Sequence, residues 1–256
     1  MAKGNRGGRR GGAGGGSGSS AAIPNIPTNA QPLTNAQADA LRQQQDSQYD
    51  ANTTAAVKQY ISNTNFDGQG HSLSQTMNYL LDEGVDLQNT TAAQINKKYG
   101  LRLTDRELAS MQYTDSYMGV ATHPIGRDVT LQRGAHDDLL RNKFGITDYT
   151  QMSESQLQAR LVGQAFKTDS YMSSSYDVSK NPFLGSSSGV SGGREVVYNV
   201  KAGKNTRMLF GAKSQSEVII DKNTDFKITG VRYSGKTATP RGGRSKPQII
   251  VDIETF

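Results

Sequence analysis

From about residue 36 to about residue 119 the apolar residues return at the three-to-four spacing of helices that bury one face. In SLSQTMNYLLDEG, Leu73, Met77, Leu80 and Leu81 share one side, Ser72 stands where an N-cap belongs, and Gly84 stands where a helix stops. TDRELASMQYTDSYMG opens with Thr104 and Glu107 at capping-box spacing. Ser153 and Gln156 repeat that spacing ahead of SESQLQARLVGQAF, in which Leu157, Leu161 and Ala165 are expected to form a buried stripe. Strand patterns cluster elsewhere: DVTLQRG (128–134), SYMSSS (170–175), REVVYNV (194–200), SEVIID (216–221), TDFKITGVRY (224–233) and QIIVDIE (248–254). Phe226, Ile228 and Val231 oppose Lys227, Thr229 and Arg232, with Gly230 shifting the phase as a bulge does. Helices first and strands mostly after predict an α+β fold with largely antiparallel sheets, not a wound α/β fold.

Composition adds a segment that this pattern does not reach. MAKGNRGGRRGGAGGGSGSS offers no apolar surface to bury, and a Pro/Asn/Gln/Thr-rich stretch follows it. Residues 1–44 are therefore expected as a disordered basic tail and linker. Residues 45–256 are expected as one domain, helical to about 125 and sheet-rich from about 126. The net charge of +6 is concentrated: Lys3, Arg6, Arg9 and Arg10 in the tail, and Lys236, Arg241, Arg244 and Lys246 in one loop, together carry +8 and leave the remainder at −2. The body of the protein is thus not a basic surface. The absence of cysteine excludes disulfides and Cys-based metal sites, and His71, His123 and His136 have no ligand-like spacing, so no metal is expected. No apolar run approaches the ~20 residues that span a bilayer, so no membrane partner is expected, and the N-terminus lacks the apolar centre of a secretory signal.

Three strand segments carry polar residues where a sheet would favour apolar ones: Leu131-Gln132-Arg133-Gly134, Ser173-Ser174-Ser175, and Gln215-Ser216-Glu217 ahead of Val218-Ile219-Ile220. Each alone reads as surface or turn. Their order, with about forty residues between successive segments, resembles the Arg/Ser/Glu class of mono-ADP-ribosyltransferase toxins. QYTDSYM before the Arg strand is similar to that family's preceding helix. GAKSQSEVIIDKNTDFKITGV is similar to its acceptor-recognition turn, catalytic strand and following strand. The likeness covers roughly residues 50–256.

The resemblance implies two packed, largely antiparallel sheets around an NAD cleft, with NAD as substrate. It implies Glu217 as the charge that binds the ribose 2′-hydroxyl and stabilises an oxocarbenium-like transition state. Arg133 would hold the pyrophosphate, and Gly134 would let the backbone approach the nicotinamide amide. Ser173 would keep Glu217 and the ribose in register, with Ser175 supporting the strand, and Phe183 would flank nicotinamide. Gln215 takes the place of the second Glu found in arginine-modifying members, as in the Rho-modifying clostridial exoenzymes, which act on asparagine, and in the guanine-modifying members. An amide cannot serve as a base, which argues against arginine as acceptor. Phe210 and Lys213 are the expected acceptor contacts.

The function expected is transfer of ADP-ribose to a macromolecular acceptor in a target cell, a protein favoured over a nucleic acid, with NAD glycohydrolysis as side reaction. The beginning at Met1, without a large delivery region, suggests either a free-standing effector or a protein packaged and injected with a phage particle. The competing reading is a nucleic-acid-binding or virion structural protein with a degenerate transferase fold, in which RGGRRGG contacts nucleic acid or a packaged cargo. The hydrolase-like Gly185-Ser-Ser-Ser-Gly189 lies in a loop followed by a strand, the wrong setting for a nucleophile elbow.

Overall fold

The computed structural model describes residues 30–62, 64–67, 69–177, 194–239 and 244–256. The helices are α1 (Asn35–Asp46), α2 (Ala51–Tyr60), α3 (Leu73–Asp82), α4 (Ala92–Tyr99), α5 (Asp105–Ala121), α6 (Asp138–Phe144) and α7 (Glu154–Leu161). The strands are β1 (Gln31–Pro32), β2 (His123–Pro124), β3 (Val129–Ala135), β4 (Ala165–Lys167), β5 (Met172–Ser175), β6 (Val196–Ala202), β7 (Arg207–Phe210), β8 (Glu217–Ile220), β9 (Asp225–Ala238) and β10 (Lys246–Thr255). This is the α+β class expected, with a helical lobe leading into a sheet of mostly antiparallel pairs.

Local chemistry sets the helix starts. Capping boxes close over α5 (Thr104 with Glu107) and α7 (Ser153 with Gln156), as their sequences predict, and over α3, where Ser72 is the expected cap and Gln75 completes the box. Two more, Thr34 with Gln37 and Thr91 with Gln94, open α1 and α4. Two expectations change here. The stretch expected as linker up to residue 44 contains β1 and most of α1, whose Ala38 and Gln45 are buried. Ala165 is not on the α7 stripe: the helix ends at Leu161, Gly163 adopts φ +89°, and its N–H bonds the Ile228 carbonyl, so the chain swings into β4 with Ala165 exposed.

The strands form one hydrogen-bonded path, β2-β7-β8-β5-β3-β6-β10-β9-β4, with β1 alongside β3. It divides at its middle, where β3 and β5 share a single register pair, Gln132 with Ser175. The half made of β7, β8 and β5 buries apolar residues on both faces. Met208, Phe210, Val218, Ile220 and Met172 face Val129, Leu131, Val200 and Ile253 of the other half in one core. Leu209, Ile219 and Tyr171 face Tyr60, Met77, Leu80 and Met111 of the helices in a second core. Alternation along a strand thus lets one layer serve two cores. The bulge expected near Gly230 is present, as a register shift between Asp252 and Ile253 of β10 opposite β9. Among the described residues, no helix is long and apolar enough to cross a membrane.

Candidate functional site

The three polar segments meet at the junction of the two sheet halves. β5 pairs antiparallel with β8 so that Ser175 lies opposite Glu217 and Ser173 opposite Ile219. Because directly opposed residues share a face, Tyr171, Ser173, Ser175 and Glu217 line the helix-facing side. Ser175, not Ser173, is therefore the serine directly across from Glu217. Buried Ser175 donates from Oγ towards the Gln215 carbonyl (3.0 Å) and the Asp177 carbonyl (2.9 Å), tying the strand to the turn before Glu217. Arg133, from β3, reaches across the junction and donates to the Ser173 carbonyl at 2.9 Å.

Glu217 is held by its own turn. The carboxylate Oε2 accepts from the Ala212 N–H at 2.8 Å, and the backbones of Gly211 and Glu217 bond at 3.0 Å. A Cβ at Gly211 would lie 2.2 Å from that oxygen, so only glycine leaves room for it. Lys213 and Gln215 sit on a short 3-10 turn, Lys213 exposed and Gln215 half-buried. Ser216, fully buried, then adopts φ 50° to turn the chain into β8. Phe210 is not on that turn's surface. It ends β7 at 4% exposure in the inter-sheet core, edge-on to Tyr176, because the strand's alternation points it inward. Phe183 falls outside the described residues.

Sequence patterns gave no warning of Tyr60 and Asn78. Tyr60, buried at the end of α2, accepts from Asn78 Nδ2 at 2.8 Å. Asn78 also reaches the Tyr171 carbonyl (3.3 Å), which joins α3 to β5. Burial pushes the Tyr60 phenol up, so it stays a neutral group within the fields of both Glu217 and Arg133. Gly211 was equally unread, although a glycine at the head of the turn GAKSQSE was its signal.

Beside this constellation is a cavity of about 280 Å³, whose lining includes Asp82, Arg133, Gly134, His136, Arg194 and Tyr198. Glu217 does not line it, so the chain presents an Arg-walled pocket at one side of the junction and a backbone-anchored carboxylate at the other. At the pocket wall, His136 Nδ1 and Glu195 Oε2 lie 2.7 Å apart, and Lys246 binds Asp137 at 3.0 Å. Lys246 thus belongs to an ion-pair network, not to a free basic loop. Among the described residues no cluster of metal-ligating side chains is present. The arrangement suits binding of an anionic ligand together with stabilisation of a nearby positive charge, which is the task of cleaving a bond to an oxocarbenium-forming ribose.

A helical lobe over a divided sheet, with an arginine-walled pocket at one side of the division and an anchored carboxylate at the other, is an arrangement suited to an NAD-cleaving transferase. The family model for ADP-ribosyltransferase exoenzyme matches residues 70–255, well over half of the chain, and the protein belongs to that family. Its members transfer ADP-ribose from NAD. No curated protein matches the chain in sequence. Among solved structures, it is similar to Plx2a, an ADP-ribosyltransferase toxin from Paenibacillus larvae (13% identity, 86% of this chain and 92% of that one, TM-score 0.55). It is also similar to the C3 exoenzyme of Clostridium limosum (15% identity, 88% and 95%, TM-score 0.54). The enzymatic component of the C2-toxin from Clostridium botulinum matches at 14% identity over 87% of this chain and 48% of its own length, with TM-score 0.54. At these identities the likeness is one of fold.

Proposed function

We propose that this protein moves ADP-ribose from NAD to an acceptor residue on a protein other than arginine, with NAD hydrolysis when water takes the acceptor's place. The observation that carries this is the turn from Gly211 to Glu217, which anchors Glu217 through the Ala212 N–H and places the Gln215 amide two residues ahead of it. Glu217 accepts from the ribose 2′-hydroxyl and offsets the positive charge that grows at the ribose as the bond to nicotinamide breaks. Nicotinamide leaves uncharged, so no general acid is required. Arg133 holds the pyrophosphate, and Gly134 lets the backbone come close to the nicotinamide amide. Tyr60 and Ser173 keep β5 and the helical lobe in register around the ribose. Gln215 offers an amide to the acceptor and cannot deprotonate a guanidinium. Exposed Lys213 completes the acceptor surface; Phe210, being buried, shapes the turn from beneath.

The test uses labelled NAD with a host-cell lysate, treated afterwards with protease or with nuclease. Protease-sensitive label that disappears in Glu217→Ala supports the proposal. Nuclease-sensitive label would move the acceptor to a nucleic acid, towards which the basic residues 1–20 would be a tether. Salt-sensitive nucleic-acid binding with no consumption of NAD would refute catalysis.

A further inference from the structure

One face of α1 is devoted to the turn that carries Glu217. Asp39 pairs with Lys213 at 2.9 Å. Buried Gln45 donates to the Met208 carbonyl (2.8 Å) and accepts from the Phe210 N–H (3.1 Å), satisfying the part of the β7 edge that β2, paired only with Arg207 and Met208, leaves open. Between them, Arg42 donates to the Gly211 carbonyl, lies 3.4 Å from the Phe210 carbonyl, and sits over the Phe210 ring at 5.6 Å.

The Gly211 carbonyl and the Ala212 N–H are the two ends of one peptide group. Its oxygen accepts from the Arg42 guanidinium, and its N–H donates to Glu217 Oε2. A cation thus stands at one end of a planar, polarisable unit and a carboxylate at the other. Each bond strengthens its neighbour and fixes the plane of the peptide. The arrangement has a cost: Arg42 Nε and one terminal nitrogen are buried and find no partner among the described residues. A surface arginine kept only for solubility would not be buried in this way.

We propose that Arg42 is a positioning residue that acts on Glu217 through the Gly211–Ala212 peptide, locking the peptide so that its N–H aims the carboxylate. This role rests on Glu217 being the catalytic carboxylate. Three consequences separate it from ordinary packing. NAD binding, which depends on Arg133 and the pocket, is untouched; the rate of the bond-breaking step falls; and another cationic donor at position 42 restores it.

The experiment uses the full chain with Arg42→Met, which keeps the stem over Phe210 and removes the guanidinium, and with Arg42→Lys. In Arg42→Met, kcat for NAD hydrolysis is expected to fall about tenfold or more with KM for NAD within about twofold, the pattern of an interaction made in the transition state. Arg42→Lys should recover most of the loss. In ¹⁵N-labelled protein, the Ala212 amide should exchange with solvent about tenfold faster in Arg42→Met, as its bond to Glu217 loosens. A folded Arg42→Met with unchanged kcat and unchanged Ala212 exchange overturns the role, as does a loss confined to KM. If Arg42→Met does not fold, Arg42→Gln is read against the same outcomes. Wild-type protein that consumes no NAD would refute the catalytic reading of Glu217, while the Ala212 exchange would still decide whether Arg42 governs the peptide.

Discussion

Gly211 and Glu217 compete for one volume: the space where a side chain at 211 would begin is filled by the carboxylate of 217, with only 2.2 Å between that Cβ position and Oε2. Gly211 does not have positive φ, so alanine would meet no backbone penalty there, and the carboxylate is what must move. Gly211→Ala should therefore retain a near-native melting temperature while, with Glu217 in its proposed catalytic role, NAD turnover falls by about a hundredfold, the usual consequence of displacing a reacting group by roughly 1 Å. Steady-state NAD hydrolysis with thermal unfolding checks both halves.

Ser175→Ala tests the tie between β5 and the acceptor turn. Removing Oγ leaves the Gln215 carbonyl without its side-chain donor, at a cost of about 1–3 kcal/mol. Transfer to a macromolecule should fall several-fold more than hydrolysis if Gln215 serves the acceptor, as proposed. Equal losses in the two assays would count against that division of labour.

Asp137 gives the protein a pH dependence at its acid end. Burial alone would raise this carboxyl, but the hydrogen bond and charge of Lys246 and the charge of Arg141 outweigh it and hold it below its usual range. A carboxyl depressed on folding stabilises the protein fully above its unfolded pKa, about 3.9, and that contribution disappears as pH falls through the lower folded value. Asp137→Asn should lower the melting temperature at pH 6 and flatten its decline below about pH 4, as read by thermal melts across pH.

The second core can be weakened without touching the inter-sheet core. Met77 is fully buried on α3 beneath Ile219 and Leu209. Met77→Ala should cost about 2–5 kcal/mol in urea denaturation, and a loss under 1 kcal/mol would mean that the helical lobe relaxes onto the sheet.

What could be read beforehand depended on whether the signal was local. Ser72, Thr104 and Ser153 announce their helices because a cap is satisfied within three residues. The order of Arg133, Ser173 and Glu217 was visible because strand patterning marks polar intrusions. In contrast α1, NAQADALRQQQD, has almost no apolar stripe, and the expected end of the linker falls inside it; contacts from Arg42 and Gln45 to a strand more than 160 residues away hold it in place. Phe210 looked like a residue of the turn because it adjoins it, and only the strand's alternation shows that it points inward. Tyr60 and Asn78 lie on ordinary helical spacing, so their meeting over β5 is a property of the tertiary fold.

Along the hydrogen-bonded path the two halves of the sheet are stitched by the single register pair between β3 and β5, with the Arg133 side chain as a second thread across the seam and the inter-sheet core behind it. On the proposed reading, a dinucleotide held by Arg133 of β3 and Glu217 of β8 would splint that seam.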